Sequence, residues 1–422
     1  MNSSTSNSDP DRAARRFLIT AAATVLSLLA ATTLVNVVVD PYRIFGWVDV
    51  AGFNARKPRA MEQGYLSKIA AVATIRPERV IVGNSRAQVG LDPESAQWHD
   101  SLITYNAALP GTGPGSALEL MRTAQAAGRL KESVVGLDFL DFLVDDRSRG
   151  AAAAAPPMVA DPRPTKTDAP SLGLRTLMGV TVSFDALLDS AYTVATQDID
   201  AMPDLTRLGF LPMRDYLAMA KREGYSAFFL QRDQENAATY LRDPKALFDA
   251  SGRTSPQWRQ LGEIKRLCDG LERGCKFLIY PYHAHVLEMF AMTGLWNAFE
   301  EWKRELVRRL DPGSTTDNES RIVLWDFSGY HRYACERVPQ LGDRVTTVRW
   351  YWESGHFKRE LGDRIIARVR GDDSPDFGVR LDASTINAAL ARIRRDRDRY
   401  REENKGDVAA LAKLVAGLRG PG

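Results

Sequence analysis

The strongest pattern along the chain is an apolar run. Residues 17–39 pass without a charged side chain, and Arg12, Arg15 and Arg16 stand just ahead of them. At about 1.5 Å per residue such a helix reaches across a bilayer. Basic residues stay on the cytoplasmic side, so the pattern predicts a cytoplasmic N-terminus and a main body outside. A cleaved signal peptide is the alternative. The run is longer than a signal's apolar region, and no small-residue cleavage site precedes Asn36 and Asp40, so a retained single span is expected.

Beyond the span, short β-branched runs alternate with helical periodicity. Val80, Ile81 and Val82 form an uninterrupted apolar strand of the kind buried on both faces of a parallel sheet. Residues 102–105, 133–139, 276–285 and 321–327 read as further strands. Between them, residues 61–76, 116–127, 257–271 and 287–310 have helical spacing, and Asp92-Pro93 reads as another helix opening. This alternation predicts an α/β fold: a parallel sheet of about five strands with flanking helices.

The expected organisation is a tail at 1–16, the span at 17–39 and an extended connector at 40–60. An α/β domain follows in two parts, 61–145 and 257–370, interrupted by a linker and helical insertion at 146–256. The tail at 1–11 is polar, and 151–157 and 161–165 are low in complexity. Within the insertion, 172–193, 203–222 and 244–250 look helical, as a cap over a site or as a packing module. Residues 371–422 hold a polar link and a charged amphipathic helix, with Ile386, Leu390 and Ile393 on one face. That helix packs along the domain or meets a partner.

Charge narrows the function classes. With 56 basic and 53 acidic residues among 422, the net charge is +3, and composition makes no case for nucleic acid. The three cysteines form no metal pattern. Cys268 and Cys275 flank a helix-to-strand turn, where they pair in an oxidising compartment or stay buried thiols.

Ser85 follows the strand through Gly83 and Asn84, which sets its hydroxyl at the carboxyl end of a central strand, where open α/β sheets bind ligands. A serine needs a base. Glu353 and His356 stand three residues apart, so a turn can aim both to one side, with the acid orienting the imidazole. Asp326, at the end of a later strand, competes for the acid's role. His283 and His285 close another strand as a substrate-side, structural or metal pair, but no carboxylate stands at ligand spacing. Asp138, Asp141, Asp145 and Asp146 read as a solvated loop or as partners for Arg147 and Arg149 rather than a metal site. Asn106 is either an amide donor in the site or a loop amide bonding backbone.

Together, Gly-Asn-Ser-Arg at 83–86, Tyr-Asn-Ala-Ala-Leu-Pro-Gly at 105–111 and Glu-Ser-Gly-His at 353–356 followed by Gly362 resemble the ordered blocks of SGNH/GDSL-type hydrolases. With Asp40-Pro41-Tyr42 after the span, the chain looks like a membrane-anchored periplasmic branch. The resemblance covers roughly residues 34–145 and 275–370. It implies a flavodoxin-like fold and a Ser85–His356–Glu353 triad without a cofactor or metal. It further implies an esterase or O-acyltransferase on an acylated envelope glycan or small acyl ester, single-pass in a bacterial inner membrane. Gly111 matches the family's oxyanion glycine. Two departures stand out: Glu353 replaces the usual aspartate, and Asp138 falls where the family has an oxyanion asparagine. An ionised Asp donates no hydrogen bond, so a catalytically inactive scaffold in an envelope assembly, with partners on the C-terminal helix, is the competing expectation.

Overall fold

Val80, Ile81 and Val82 are wholly buried, as a central strand requires, and the rest of the sheet is laid out around them. In chain order the strands of the computed structural model are β1 (Arg79–Val82), β2 (Thr104–Asn106), β3 (Glu132–Leu137), β4 (Val144–Asp145), β5 (Lys245–Ala246), β6 (Cys275–Ile279), β7 (Ile322–Asp326), β8 (Tyr351–Glu353), β9 (His356–Phe357) and β10 (Val379–Leu381). The structure describes residues 10–145, 174–242, 245–249, 251–314, 320–372, 374 and 376–419. Six strands form the main sheet in the order β10-β7-β6-β3-β1-β2. All its pairs are parallel except β10, which runs antiparallel to β7.

The sheet therefore has six strands where five were expected. The sixth, β10, lies in the stretch read as a polar link. Three residues with only Leu381 fully inside carry no period for a sequence to show. Other expected elements also break. The helix expected at 287–310 is two, Ala284–Met292 and Trp296–Leu310, parted at Gly294 with φ +82°. The C-terminal helix is likewise two, Ile386–Glu403 and Lys405–Arg419. Asp92-Pro93 opens only a turn before the short 3₁₀ helix Ala96–Trp98. Residues 203–222 are helical only from Arg214–Glu223, and 244–250 contain β5, paired antiparallel with β4. An 18-residue helix, Tyr225–Arg242, was not anticipated. The expectations for 1–9, 151–157 and 161–165, and for Asp146, Arg147 and Arg149, lie outside the described residues.

The described residues fall into two compact units, one within Met1–Ala70 and Lys166–Asp200, the other within Ala71–Thr165 and Ala201–Gly422. The insertion is thus shared between them. In the first unit, the helix Pro10–Val39 contains one stretch long and apolar enough to cross a membrane, Asp11–Val39, with mean hydropathy 2.1 over an 18-residue window. The Asp40-Pro41-Tyr42 turn ends it. The Asp40 carboxylate accepts from the N–H groups of Ile44, Phe45 and Gly46 at 2.7, 3.1 and 2.8 Å. Tyr42 Oη donates to Asp189 at 2.6 Å, which ties the turn to the helix Phe184–Ala195. Tyr42, Ile44, Leu66, Ala70 and Ala186 form a small core beside it.

In the second unit, a buried charge cluster closes the amino end of the sheet. Arg79 donates to Glu132 at 2.7 Å and to Asp100, under the ring of Trp98. Cys268 and Cys275 are disulfide-bonded, with Cα atoms 5.4 Å apart, joining the helix Gln257–Asp269 to β6. Cys335 is free, and burial pushes its thiol up to about 12. The C-terminal helices lie along this unit. Ile386–Glu403 packs on Trp296–Leu310, and Lys405–Arg419 on Tyr225–Arg242 and Ala284–Met292. Ile386, Leu390, Ile393, Leu411 and Val415 are buried there, so the chain itself covers the amphipathic stripe.

Candidate active site

β1 ends at Val82, and through Gly83 the chain turns into the short helix Ser85–Gly90, with Asn84 as its cap. Gly83 has φ +149°, and a Cβ there would stand 2.3 Å from Tyr280 Oη, so only glycine fits. From Arg79 to Gly90 every residue is buried except Ser85. The same holds from Tyr351 to Lys358, where His356 alone reaches solvent. Each motif thus opens one side chain, and the two meet.

The second motif is the hairpin of β8 and β9, in which Glu353 pairs with His356. Phe357, 1% exposed, presses on the Ser85–Gly90 helix so closely that a Cβ on Gly90 would fall 2.0 Å from its ring. Just beyond, a Cβ on Gly362 would fall 1.7 Å from the Gly90 carbonyl oxygen, so the helix Arg359–Val369 also rests on this turn. These contacts bring together residues 271 positions apart: His356 Nε2 lies 2.7 Å from Ser85 Oγ. On the other side of the ring, Nδ1 contacts Glu353 Oε1. The tautomer with its proton on Nδ1 satisfies both contacts, accepting from the Ser85 hydroxyl and donating to Glu353.

Glu353 is 1% exposed and surrounded by donors. The Gly355 N–H approaches Oε2 at 2.5 Å, and Arg232 Nε stands 3.3 Å away. Burial works to raise its pKa, but His356, Arg232 and the Gly355 N–H outweigh burial and hold the carboxyl below the usual glutamate range. Asp326 does not compete, because it bonds Lys303 Nζ at 2.7 Å and Ser328 Oγ at 2.7 Å.

Asp138 sits beside the nucleophile's turn as an acceptor. It takes hydrogen bonds from Asn84 Nδ2 at 2.8 Å, Tyr282 Oη at 3.0 Å and the Leu140 N–H at 3.3 Å, and it pairs with Arg86. It anchors the residues on either side of Ser85 rather than donating to an oxyanion. Asn106 is placed outside the chemistry. Its amide group donates to the carbonyls of Ala87 at 2.9 Å and Leu91 at 2.8 Å, and its oxygen accepts from the Ala108 N–H. Gly111, with φ +66°, lies on an exposed turn two residues past Leu109, whose N–H bonds the Gly83 carbonyl at 3.0 Å. The Ser85 N–H, first in its helix, has no acceptor within the helix.

His283 takes up structural bonds. It caps the helix Ala284–Met292 by accepting from the His285 N–H, and its Nε2 bonds the Glu336 carbonyl at 2.9 Å. Burial and the neighbouring His285 push its pKa well below the usual histidine value. His285 Nδ1 instead faces Asp233 at 2.8 Å. No group of three or more potential metal ligands occurs among the described residues.

Sequence reasoning missed Arg232, Tyr280 and Tyr282, and it gave Asn84 and Arg86 no role. Arg232 lies on Tyr225–Arg242, where the apolar positions Tyr225, Phe228, Phe229, Ala237 and Tyr240 recur at helical spacing and are themselves a signal for this helix. Neither a protein-family model nor a curated protein matches the chain. The geometry alone defines what the site can do: it places a serine hydroxyl, an imidazole and a buried carboxylate in line.

Proposed function

We propose that the protein is a membrane-anchored serine esterase or O-acyltransferase of the flavodoxin-like SGNH type, with its α/β domain on the periplasmic face of a bacterial inner membrane. The observation that carries this reading is the continuous contact Ser85 Oγ–His356–Glu353. Two features support the fold: the order of the five parallel strands, and the serine's seat at the carboxyl end of the first. The buried disulfide and the apolar helix Asp11–Val39 support the location.

In this mechanism Ser85 Oγ attacks the acyl carbonyl carbon while its proton passes to His356 Nε2. Glu353 stabilises the imidazolium. The oxyanion is held by the Ser85 and Gly111 backbone N–H groups, without help from Asn106 or Asp138. Collapse expels the alcohol, which takes the proton from His356, and leaves an acyl ester on Ser85. Water or a sugar hydroxyl then gives its proton to His356 and its oxygen to the acyl carbon. The resulting tetrahedral adduct collapses by expelling Ser85 Oγ, which takes that proton back from His356. The choice between water and sugar makes the protein an esterase or a transferase. An acylated envelope glycan is the substrate that the family resemblance implies, and the residues named need no cofactor for this sequence.

Asp138 favours a second reading, an SGNH-fold scaffold without activity, since it supplies no donor where an amide is expected. Labelling the full chain with a fluorophosphonate probe separates the two. The expected result is labelling of the native protein that is lost in Ser85→Ala and His356→Ala. A folded native protein that takes no label overturns the catalytic reading in favour of the scaffold.

A further inference from the structure

Asn36 is 19 positions beyond Phe17, the first apolar residue after the basic cluster. At about 1.5 Å per residue this spacing is roughly 28 Å, close to the ~30 Å of a bilayer's hydrocarbon core. Asn36 therefore stands at the far edge of the core when Phe17 stands at the near edge. Its side chain is fully occupied there. Nδ2 donates to the carbonyls of Thr181 at 2.9 Å and Ser183 at 3.2 Å, and Oδ1 accepts from Ser190 Oγ at 2.9 Å. These bonds hold the junction between the helices Leu174–Thr181 and Phe184–Ala195 at the level of Asn36.

The second helix has two unlike faces. Ala186, Ser190 and Thr193 are buried within the unit, and Asp189 bonds Tyr42. On the outer side, Phe184, Leu188, Ala191 and Ala195 are exposed, Phe184 by 68% and Leu188 by 55%. At about 100° per residue these four fall within about 60° of one another. They form an apolar stripe that stands exposed among the described residues. Met178, on the preceding helix, is also open at 52%.

We infer that the helix Phe184–Ala195 is a second membrane contact, lying with its Phe184–Leu188–Ala191–Ala195 stripe in the interfacial layer of the phospholipid bilayer that Asp11–Val39 crosses. The bilayer is the occupant because the helix bearing the stripe packs directly against the span. Asn36 pins the helix at the depth where acyl chains give way to headgroups, and an amphipathic helix at that depth buries its apolar face in lipid. The part of the insertion at 174–195 thereby acts at the anchor, where Asn36 ties it to the end of the span. This inference rests on reading Asp11–Val39 as a span and is independent of the chemistry at Ser85.

The test reconstitutes the full native chain in phosphatidylcholine nanodiscs that carry a diazirine-bearing phosphatidylcholine. Adducts are mapped by mass spectrometry after illumination. Adducts on both 17–39 and 184–195 are expected. Adducts on 17–39 without any on 184–195 overturn the inference, and their absence from both overturns the span beneath it. In a Cys335→Ser background, nitroxides at Phe184→Cys and Leu188→Cys should be relaxed more by oxygen than by a water-soluble nickel reagent. A label at Gln231→Cys, an exposed position on another helix, should show the reverse. Preferential relaxation by nickel at 184 and 188, or spin–spin broadening between copies there, overturns the inference.

Discussion

Arg232 Nε stands 3.3 Å from Glu353 Oε2, so a helix of the insertion supplies a cation to the acid that orients His356. Arg232 touches neither Ser85 nor a reacting atom, and its action is on the carboxylate. Removing the cation allows burial to raise the Glu353 pKa. Arg232→Gln is expected to slow fluorophosphonate labelling about tenfold, the equivalent of one pKa unit. It should also move the acid limb of the labelling–pH profile upward. A slower rate with an unmoved limb would make Arg232 merely structural.

The Arg86–Asp138 pair is buried behind the serine, and breaking such a pair on one side strands a charge. Asp138→Ala should cost about 3–5 kcal/mol in denaturant unfolding. Arg86→Met combined with Asp138→Leu should recover only part of that loss, because no unpaired charge then remains but the donors of Asn84, Tyr282 and Leu140 lose their acceptor.

Asn106 separates a structural amide from an oxyanion donor. Asn106→Ala removes the bonds to Ala87, Leu91 and Ala108, and a loss of about 1–3 kcal/mol in stability is expected. Labelling of the folded fraction should remain near the native rate. An oxyanion donor would show a fall of about a hundredfold or more.

Lys358 offers a pH test. Its ammonium bonds Tyr225 Oη at 2.7 Å and lies over the rings of Tyr225 and Trp352, and burial lowers its pKa from 10.5 to about 8. The folded state therefore holds this proton less tightly than the unfolded chain does. Stability should rise with pH between about 8 and 10.5 and level off above. Lys358→Met should flatten that rise in unfolding measured across the same interval.

What the sequence made legible follows the physics of each signal. A buried parallel strand is a continuous apolar run, so Val80–Val82 could be read directly, as could the helix-length apolar segment ahead of Asp40. Ser85, Glu353 and His356 were readable because their spacing and the turn residues around them are local. The roles of Asn106, Asp138 and His283 were not. Whether a polar side chain faces a site or caps a helix depends on carbonyls and donors brought in from elsewhere, such as Ala87, Leu91 and Glu336. Arg232 was hidden for the same reason, and β10 because three residues are too few for a period.

The packing of Lys405–Arg419 against Tyr225–Arg242 sets an order in time. The helix carrying Arg232 gains its outer support from residues synthesised after Glu353 and His356 themselves. The surroundings of Glu353 are complete only once Lys405–Arg419 has followed them out of the ribosome. The newborn chain therefore carries its serine turn before its acid is braced.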